Sequence, residues 1–376
     1  MGTKRIKVLE AIRQGKIGGG ETHVLELVSK MEKTVFEPVV LSFTQGPMVQ
    51  QLQSLGIEVY VIETERSFDR KIWKKVRDFI RKNEFDIVHA HGTRANSNVF
   101  WAAKSLKLPL VYTVHGWSFH QDQPVLVKKM RELSEMFLTS VSTSTICVSN
   151  SNQNDGIRGW KMKRSVVIYN GINTEKFNPG LEYKSVRKEF DIADDKTLIG
   201  FIVRMTIQKD PFILIKAMRI VMQKTNDVVL LMVGDGDLKQ EAVQMVNELN
   251  LSSNIIFEDF RQDVPDVLKA IDIYCLPSLW EGLPIGVLEA MSMSKVVIAT
   301  PVDGTKEIMT DMENGILVPV RDEQKLAEAI LRVHYDKPLQ IRLSENAVRT
   351  IHQKFSIEEM VKKIENHYLT IMNLKR

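Results

Sequence analysis

Two glutamates with seven residues between them, Glu281 and Glu289, are the strongest chemical signal in this 376-residue chain. They stand in the stretch LPSLWEGLPIGVLEAM, residues 276–291, which reads as a strand end, a tight loop and a helix. Pro284 suits the first helical turn, where an N–H has no intrahelical use. The amides around it, at Gly282, Leu283 and Ile285, and the positive end of the helix dipole make a seat for an anion. Helical side chains lean toward the N-terminus, so Glu289 can accept hydrogen bonds from hydroxyls of a ligand whose phosphate lies above it. Two carboxylates beside a phosphate seat describe a ligand with both hydroxyls and phosphates, and a nucleotide sugar has both.

Other candidates recur where strands end. Arg204 and Lys209 follow the strand 198–203, and a helix starts at Pro211. Gly18, Gly19 and Gly20 link a first strand to a helix, a loop that lets backbone amides approach a phosphate. A dinucleotide fingerprint needs a third glycine where His23 stands, and an acidic residue after the second strand that is not there. His89 and His91 share a strand face and invite a metal reading, but no third ligand follows at a ligand spacing. Asp235 and Asp237 form a D-x-D, read either as a divalent-ion site or as a glycine turn, of which the turn is preferred.

The stretch 276–291 and the segment GFIVRMTIQKD resemble the retaining family 4 glycosyltransferases, through E-x7-E and R-x4-K. The resemblance extends over essentially the whole chain. It implies a GT-B fold, two doubly wound Rossmann-like α/β domains facing a central cleft. It implies that Arg204 and Lys209 grip a diphosphate, Glu281 holds sugar hydroxyls and Glu289 holds the ribose. Gly19 and Gly20 would close over the donor phosphates, and the loop at Arg261 would read the base. His115, at the end of the strand 110–114, matches a histidine that assists at the sugar and makes the best catalytic candidate of the first domain. The usual V-G-G-x-x-E motif is altered here, with Asp303 replacing its first glycine.

Bulk properties agree with two domains, the default at this length. Apolar residues make up 44% and charged residues 26%, as in a soluble globular protein. No run of eighteen apolar residues exists. Lys4, Arg5 and Lys7 open the chain, but Lys7 and Glu10 break the apolar run 6–12, which reads as a strand rather than a signal peptide. Cys147 and Cys275 are too few for a disulfide framework, so a reducing cytoplasm is expected. Residues 1–172 hold 25 basic against 16 acidic side chains, a net of +9, while the rest carry −5. That balance points to an anionic acceptor or membrane surface, or simply to solvated basic helices. Phe68–Lys82 is one such helix, with an apolar stripe at Phe68, Ile72, Val76, Phe79 and Ile80. Helices are also expected over 121–140, 264–270, 322–334 and 356–372.

The expected organisation is an acceptor-binding domain over 1–172 and a donor-binding domain over 173–355, with the helix 356–376 packing back on the first. The expected activity is retaining transfer of a sugar from a UDP-sugar to a glycan or lipid-linked acceptor, as in cell-surface polysaccharide or glycolipid assembly. No cofactor or metal is expected, and nucleic acid is not an expected partner. The location would be the cytoplasm, with peripheral attachment to the inner membrane face as an extension. Rival classes are a nucleotide-sugar epimerase or phosphorylase on the same scaffold, an inactive donor-binding partner of another transferase, and a nicotinamide-dependent dehydrogenase.

Overall fold

The structure, a computed structural model, describes residues 5–15, 18–120 and 123–373. Expectations touching Lys4, Lys16 and Ile17, the start of the 121–140 helix and the last three residues lie outside it. The chain divides into two compact units, residues 1–171 with 357–376, and residues 172–356.

The first unit carries β1 (Ile6–Ile12), β2 (Phe36–Ser42), β3 (Glu58–Val61), β4 (Ile87–His91), β5 (Leu110–Val114), β6 (Ser144–Cys147) and β7 (Ser165–Val167). All pair in parallel, in the order β3-β2-β1-β4-β5-β6-β7. The second carries β8 (Thr197–Ile202), β9 (Val228–Val233), β10 (Ile255–Glu258), β11 (Ile273–Leu276), β12 (Val296–Ala299) and β13 (Ile316–Leu317). These are parallel too, ordered β10-β9-β8-β11-β12-β13. Strands covered by helices on both faces must be apolar throughout, and β9 (VVLLMV) is buried at every position. These are the two doubly wound α/β domains that the sequence predicts.

In each sheet the order reverses beside the first strand, between β1 and β4 and between β8 and β11. Loops leaving the carboxyl ends of those strands diverge there and leave a crevice. His91 ends β4, Arg204 follows β8, and Glu281 follows β11, so the candidate chemistry gathers where this topology leaves room.

The helix Ile357–Asn373 buries Ile357, Met360, Val361, Ile364, Tyr368 and Ile371 against Val8, Phe36, Ile87, Val111 and Ile146 of the first unit. The basic helix runs over Arg70–Lys82. Val76 and Ile80 are buried, and Ile72 and Phe79 pack against the same core, leaving Arg70, Lys71, Lys74, Lys75, Arg81 and Lys82 exposed. Phe68 lies before that helix, at φ 54°. The helix expected from residue 121 occupies Val125–Val141. Lys337–Lys354 is an 18-residue helix beyond those expected from the sequence, and Asp336 caps it by accepting from Leu339 N at 2.9 Å.

Candidate active site

In the second unit, β11 delivers the chain into a loop whose carbonyls and amides are tied to neighbouring turns. Leu279 N donates to Gln208 O (2.8 Å), Thr300 Oγ1 to Ser278 O (2.5 Å) and Gly304 N to Gly282 O (3.1 Å). Glu281 hangs from this frame with 7% of its surface exposed. Its Oε1 accepts from Lys209 Nζ at 2.5 Å and from Ser278 Oγ at 2.6 Å, while Oε2 meets only a long contact from Gln208 Nε2 at 3.4 Å. Oε2 is therefore the oxygen with capacity for a ligand hydroxyl. Lys209 has three ammonium hydrogens and can hold Glu281 while donating to a phosphate.

Asp303 supplies what the altered motif left open. Its backbone sits at φ 38°, a left-handed value that aspartate tolerates better than most residues. Its Oδ2 accepts from Glu281 N at 2.8 Å, so the substitution fastens the loop bearing the candidate glutamate.

The helix that follows spans Ile285–Ser292, with Pro284 as its cap at φ −71° and ψ 109°. Pro284 thus precedes the first turn rather than lying within it. Gly282, Leu283 and Ile285 line this helix start, where the first amides have no intrahelical acceptors. Glu289 lies one turn in, half-buried. Burial, together with the charges of Glu289 and Glu281, pushes the Tyr274 hydroxyl well above its ordinary value. The field of both carboxylates thus reaches one buried phenol, a residue that no motif announced. Gly286 is required beside it, because a Cβ there would run into Tyr274 Oη.

Arg204 reaches outward, its side chain 71% exposed, with Asp237 Oδ1 at 3.7 Å as its ion-pair partner. Asp235 pairs with Lys239 at 3.5 Å, so both acids of the D-x-D face cations. Neither belongs to the metal-capable clusters among the described residues. Arg261 differs from the other cations. Glu189 and Asp263 engage its guanidinium at 2.6 Å each, and their hydrogen bonds raise its pKa further. That side chain is committed to protein carboxylates, which leaves the main chain of the loop for any contact with a base.

The first unit brings together His23, His91 and His115. Register sets Glu10 of β1 beside His89 of β4, and Ile12 beside His91. His91 Nε2 lies 2.8 Å from Glu10 Oε2, and His91 Nδ1 lies 3.2 Å from His115 Nε2. His23 arrives from the helix Gly19–Lys30, its Nδ1 3.0 Å from Asn170 Oδ1 and its ring 4.8 Å from that of His115. Gly19 is exposed at that helix start, and Gly20 packs beside the His115 ring, where a Cβ would make an ordinary contact at 3.4 Å. Sequence spacing gave His89 and His91 no third ligand; tertiary structure brings His23, His115 and Glu10 alongside. His89 itself is sealed, held by Tyr368 Oη at 2.5 Å and Thr113 Oγ1 at 2.7 Å.

Burial, reinforced by the neighbouring histidines, lowers His23 to about 3 and holds His115 well below its usual value. Burial and His89 likewise lower His91 to about 4, against the pull of Glu10. Burial alone would raise the Glu10 carboxyl. The charge and hydrogen bond of His89 and the hydrogen bond of His91 outweigh it, and Glu10 stays ionised. His23, His91 and His115 are neutral at physiological pH, so His115 is available as a hydrogen-bonding group rather than a fixed cation.

Family models match both parts of the chain: "Glycosyltransferase Family 4" over residues 17–176 and "Glycosyl transferases group 1" over residues 182–350. The chain belongs to the family 4 glycosyltransferases and has the GT-B fold. It is 29% identical to the UDP-Gal:alpha-D-GlcNAc-diphosphoundecaprenol alpha-1,3-galactosyltransferase of Escherichia coli, over 98% of each chain. It is 25% identical to the putative glycosyltransferase EpsD of Bacillus subtilis, over 81% of each. Among solved structures, Anabaena Alr3699/HepE in complex with UDP-glucose superposes with a TM-score of 0.86 at 23% identity, covering 97% of this chain and 100% of that one.

Proposed function

We propose that this glycosyltransferase moves a sugar from a UDP-sugar to a hydroxyl of a glycan or lipid-linked acceptor with retention of anomeric configuration. The observation that carries the reading is the Lys209–Glu281 pair at the start of the helix Ile285–Ser292, with Glu289 one turn further on. That grouping offers cations and amides to a diphosphate and carboxylate oxygens to hydroxyls. Arg204 and Lys209 neutralise the departing diphosphate, aided by the amides at Gly282, Leu283 and Ile285. Glu281 receives sugar hydroxyls through Oε2, and Glu289 receives the ribose. Gly19 and Gly20 lie against the donor phosphates, the main chain at Arg261 meets the base, and His115 donates to the sugar.

No side chain is assigned as a nucleophile. The acceptor oxygen attacks the anomeric carbon on the face that the phosphate leaves, the bond from that carbon to the phosphate oxygen breaks, and the acceptor's proton passes to the leaving phosphate. Charge develops on the diphosphate, where fixed donors are worth most. The reaction needs no metal, so transfer survives a chelator.

The E. coli relative is named for a UDP-linked donor and a diphosphoundecaprenol acceptor, and the superposed Anabaena protein holds UDP-glucose; both support this choice of donor and acceptor class. Among the described residues no helix is long and apolar enough to cross a membrane. The helix Val125–Val141 exposes Val125, Leu126, Met130 and Leu133, and the helix Arg70–Lys82 exposes its basic face. Both features favour peripheral attachment to an anionic membrane surface.

Thermal-shift screening against nucleotide sugars, followed by mass spectrometry and anomeric NMR of the product, tests the reading. An α-configured product from an α-linked UDP-sugar is expected. An inverted product, acceptor-free conversion of the sugar, or dependence on inorganic phosphate would overturn it.

A further inference from the structure

Three imidazoles meet in the first unit, and the partners behind them decide which nitrogens carry lone pairs. Glu10 is ionised and accepts at 2.8 Å, so His91 Nε2 bears the hydrogen and Nδ1 presents its lone pair to the group. Asn170 Oδ1 accepts at 3.0 Å, so His23 Nδ1 bears the hydrogen and Nε2 presents its own lone pair. His23 is 3% exposed, and its Nε2 is buried without a hydrogen-bond partner. A buried imidazole lone pair with nothing to accept from is a cost the fold carries unless something binds there.

The third nitrogen is His115 Nε2, 3.2 Å from His91 Nδ1 and hydrogen-bonded to it, so an ion would replace that hydrogen bond and leave the His115 hydrogen on Nδ1. One nitrogen from each of the three rings lies within 4.8 Å of the others. Zinc–nitrogen bonds of about 2.0–2.1 Å in a tetrahedron separate ligand nitrogens by roughly 3.3 Å. One edge is therefore already at that separation, and the His23 ring, 4.8 Å from that of His115, moves to complete the face. His115 is partly rather than fully buried, which gives an ion a way in and leaves a fourth position open. A carboxylate behind one ligating histidine and an amide oxygen behind another form the outer shell that orients metal-bound imidazoles.

We propose that His23 Nε2, His91 Nδ1 and His115 Nε2 together bind one divalent transition-metal ion of the zinc class. The site differs from the two motifs that invite a metal reading on sequence grounds, because it excludes His89 and the D-x-D. It is also distinct from any metal requirement of transfer. An ion seated there occupies the His115 nitrogen that the reaction proposed above uses, so zinc inhibits transfer rather than supporting it; this last consequence rests on that functional reading.

The test uses the full chain without a histidine tag, stripped with chelator and dialysed. Calorimetry with zinc chloride is expected to give one equivalent bound, and cobalt(II) the intense visible bands of a four-coordinate ion. His23→Ala should weaken zinc binding by at least about 100-fold and abolish the cobalt bands, and Asn170→Ala should weaken it by about 10–100-fold. His334→Ala, in the second unit and bonded to Thr197, should bind as the parent does. Circular dichroism reports that each variant is folded. No saturable zinc binding by the parent chain, or equal affinity in folded His23→Ala and Asn170→Ala, overturns the site. One equivalent of zinc bound with transfer unaffected supports the site and removes His115 from the reaction.

Discussion

Lys209 Nζ stands 2.5 Å from Glu281 Oε1, and the two side chains are 19% and 5% exposed. One of the two cations assigned to the diphosphate is thus the counter-ion of the carboxylate assigned to the sugar. Removing the lysine leaves a buried carboxylate with one fewer partner. Fully buried pairs lose roughly 3–5 kcal/mol on such a change, and the partial exposure of Lys209 lowers this to about 2–3 kcal/mol. Lys209→Met should lower the denaturant midpoint accordingly and also abolish most transfer. Glu281→Gln should stay closer to parent stability while losing activity. Equal stability of Lys209→Met and the parent chain would show that the pair contributes nothing to the fold.

Arg204 offers the contrasting case. Its guanidinium is 71% exposed and its partner Asp237 is 69% exposed, so the pair contributes little to stability. Arg204→Ala should leave the melting midpoint unchanged and reduce donor affinity or turnover by about one to two decades, the value of a charge-assisted hydrogen bond. Unchanged kinetics in a radiolabelled transfer assay would remove Arg204 from the donor site.

Tyr274 and Gly286 are fitted to each other. In Gly286→Ala the new methyl would collide with Tyr274 Oη, whereas Tyr274 Cζ would lie at 3.4 Å. The single variant should lose about 1–3 kcal/mol and part of its activity through overpacking beneath the helix that bears Glu289. Adding Tyr274→Phe should recover most of both losses. A double variant no better than Gly286→Ala would place the strain elsewhere.

Glu135 gives a pH signature of its own, tied to the segments that follow His91 and His115. It is fully buried and accepts from Thr93 Oγ1 (2.7 Å), Tyr112 Oη (2.8 Å) and Ser118 Oγ (2.5 Å). Burial nevertheless raises its carboxyl above the usual 4.5. As pH rises past that value the unfolded chain releases its proton first, so this group's stabilisation is complete at low pH and lost toward the raised value. Glu135→Gln removes the titration. Its stability relative to the parent should therefore climb as pH rises above 4.5, by up to about 1.4 kcal/mol per pH unit, and level off once the raised value is passed. Urea midpoints across a pH series starting near 4.5 measure the difference, and a constant gap would contradict the raised carboxyl.

Much of the fold was legible because parallel strands buried on both faces announce themselves as apolar runs. β1 and β5 occupy the residues that the runs predict. The Lys337–Lys354 helix was not, since its apolar positions are spread among polar ones and its start rests on the Asp336 cap. At the candidate site, strand-end position singled out Arg204, Lys209, His91 and His115. What local sequence could not supply were the partners that fix them: Glu10 and Tyr368, 358 residues apart, or Ser278 and Tyr274 around the two acids. Asp303 had a visible signal, its departure from glycine, but the hydrogen bond to Glu281 N depends on a loop conformation that no motif encodes.

Tyr368 Oη donates to Glu10 Oε1 at 2.7 Å, joining the seventeen-residue helix Ile357–Asn373 to the first strand. During synthesis the opening strands leave the ribosome long before that phenol exists. A charged Glu10 must meanwhile stay hydrated or make do with its histidines, and the apolar flank around Val8 and Ile87 stays uncovered. Residues made late therefore complete residues made early, and a chain released before Ile357 would carry a finished second sheet and an unsealed first one.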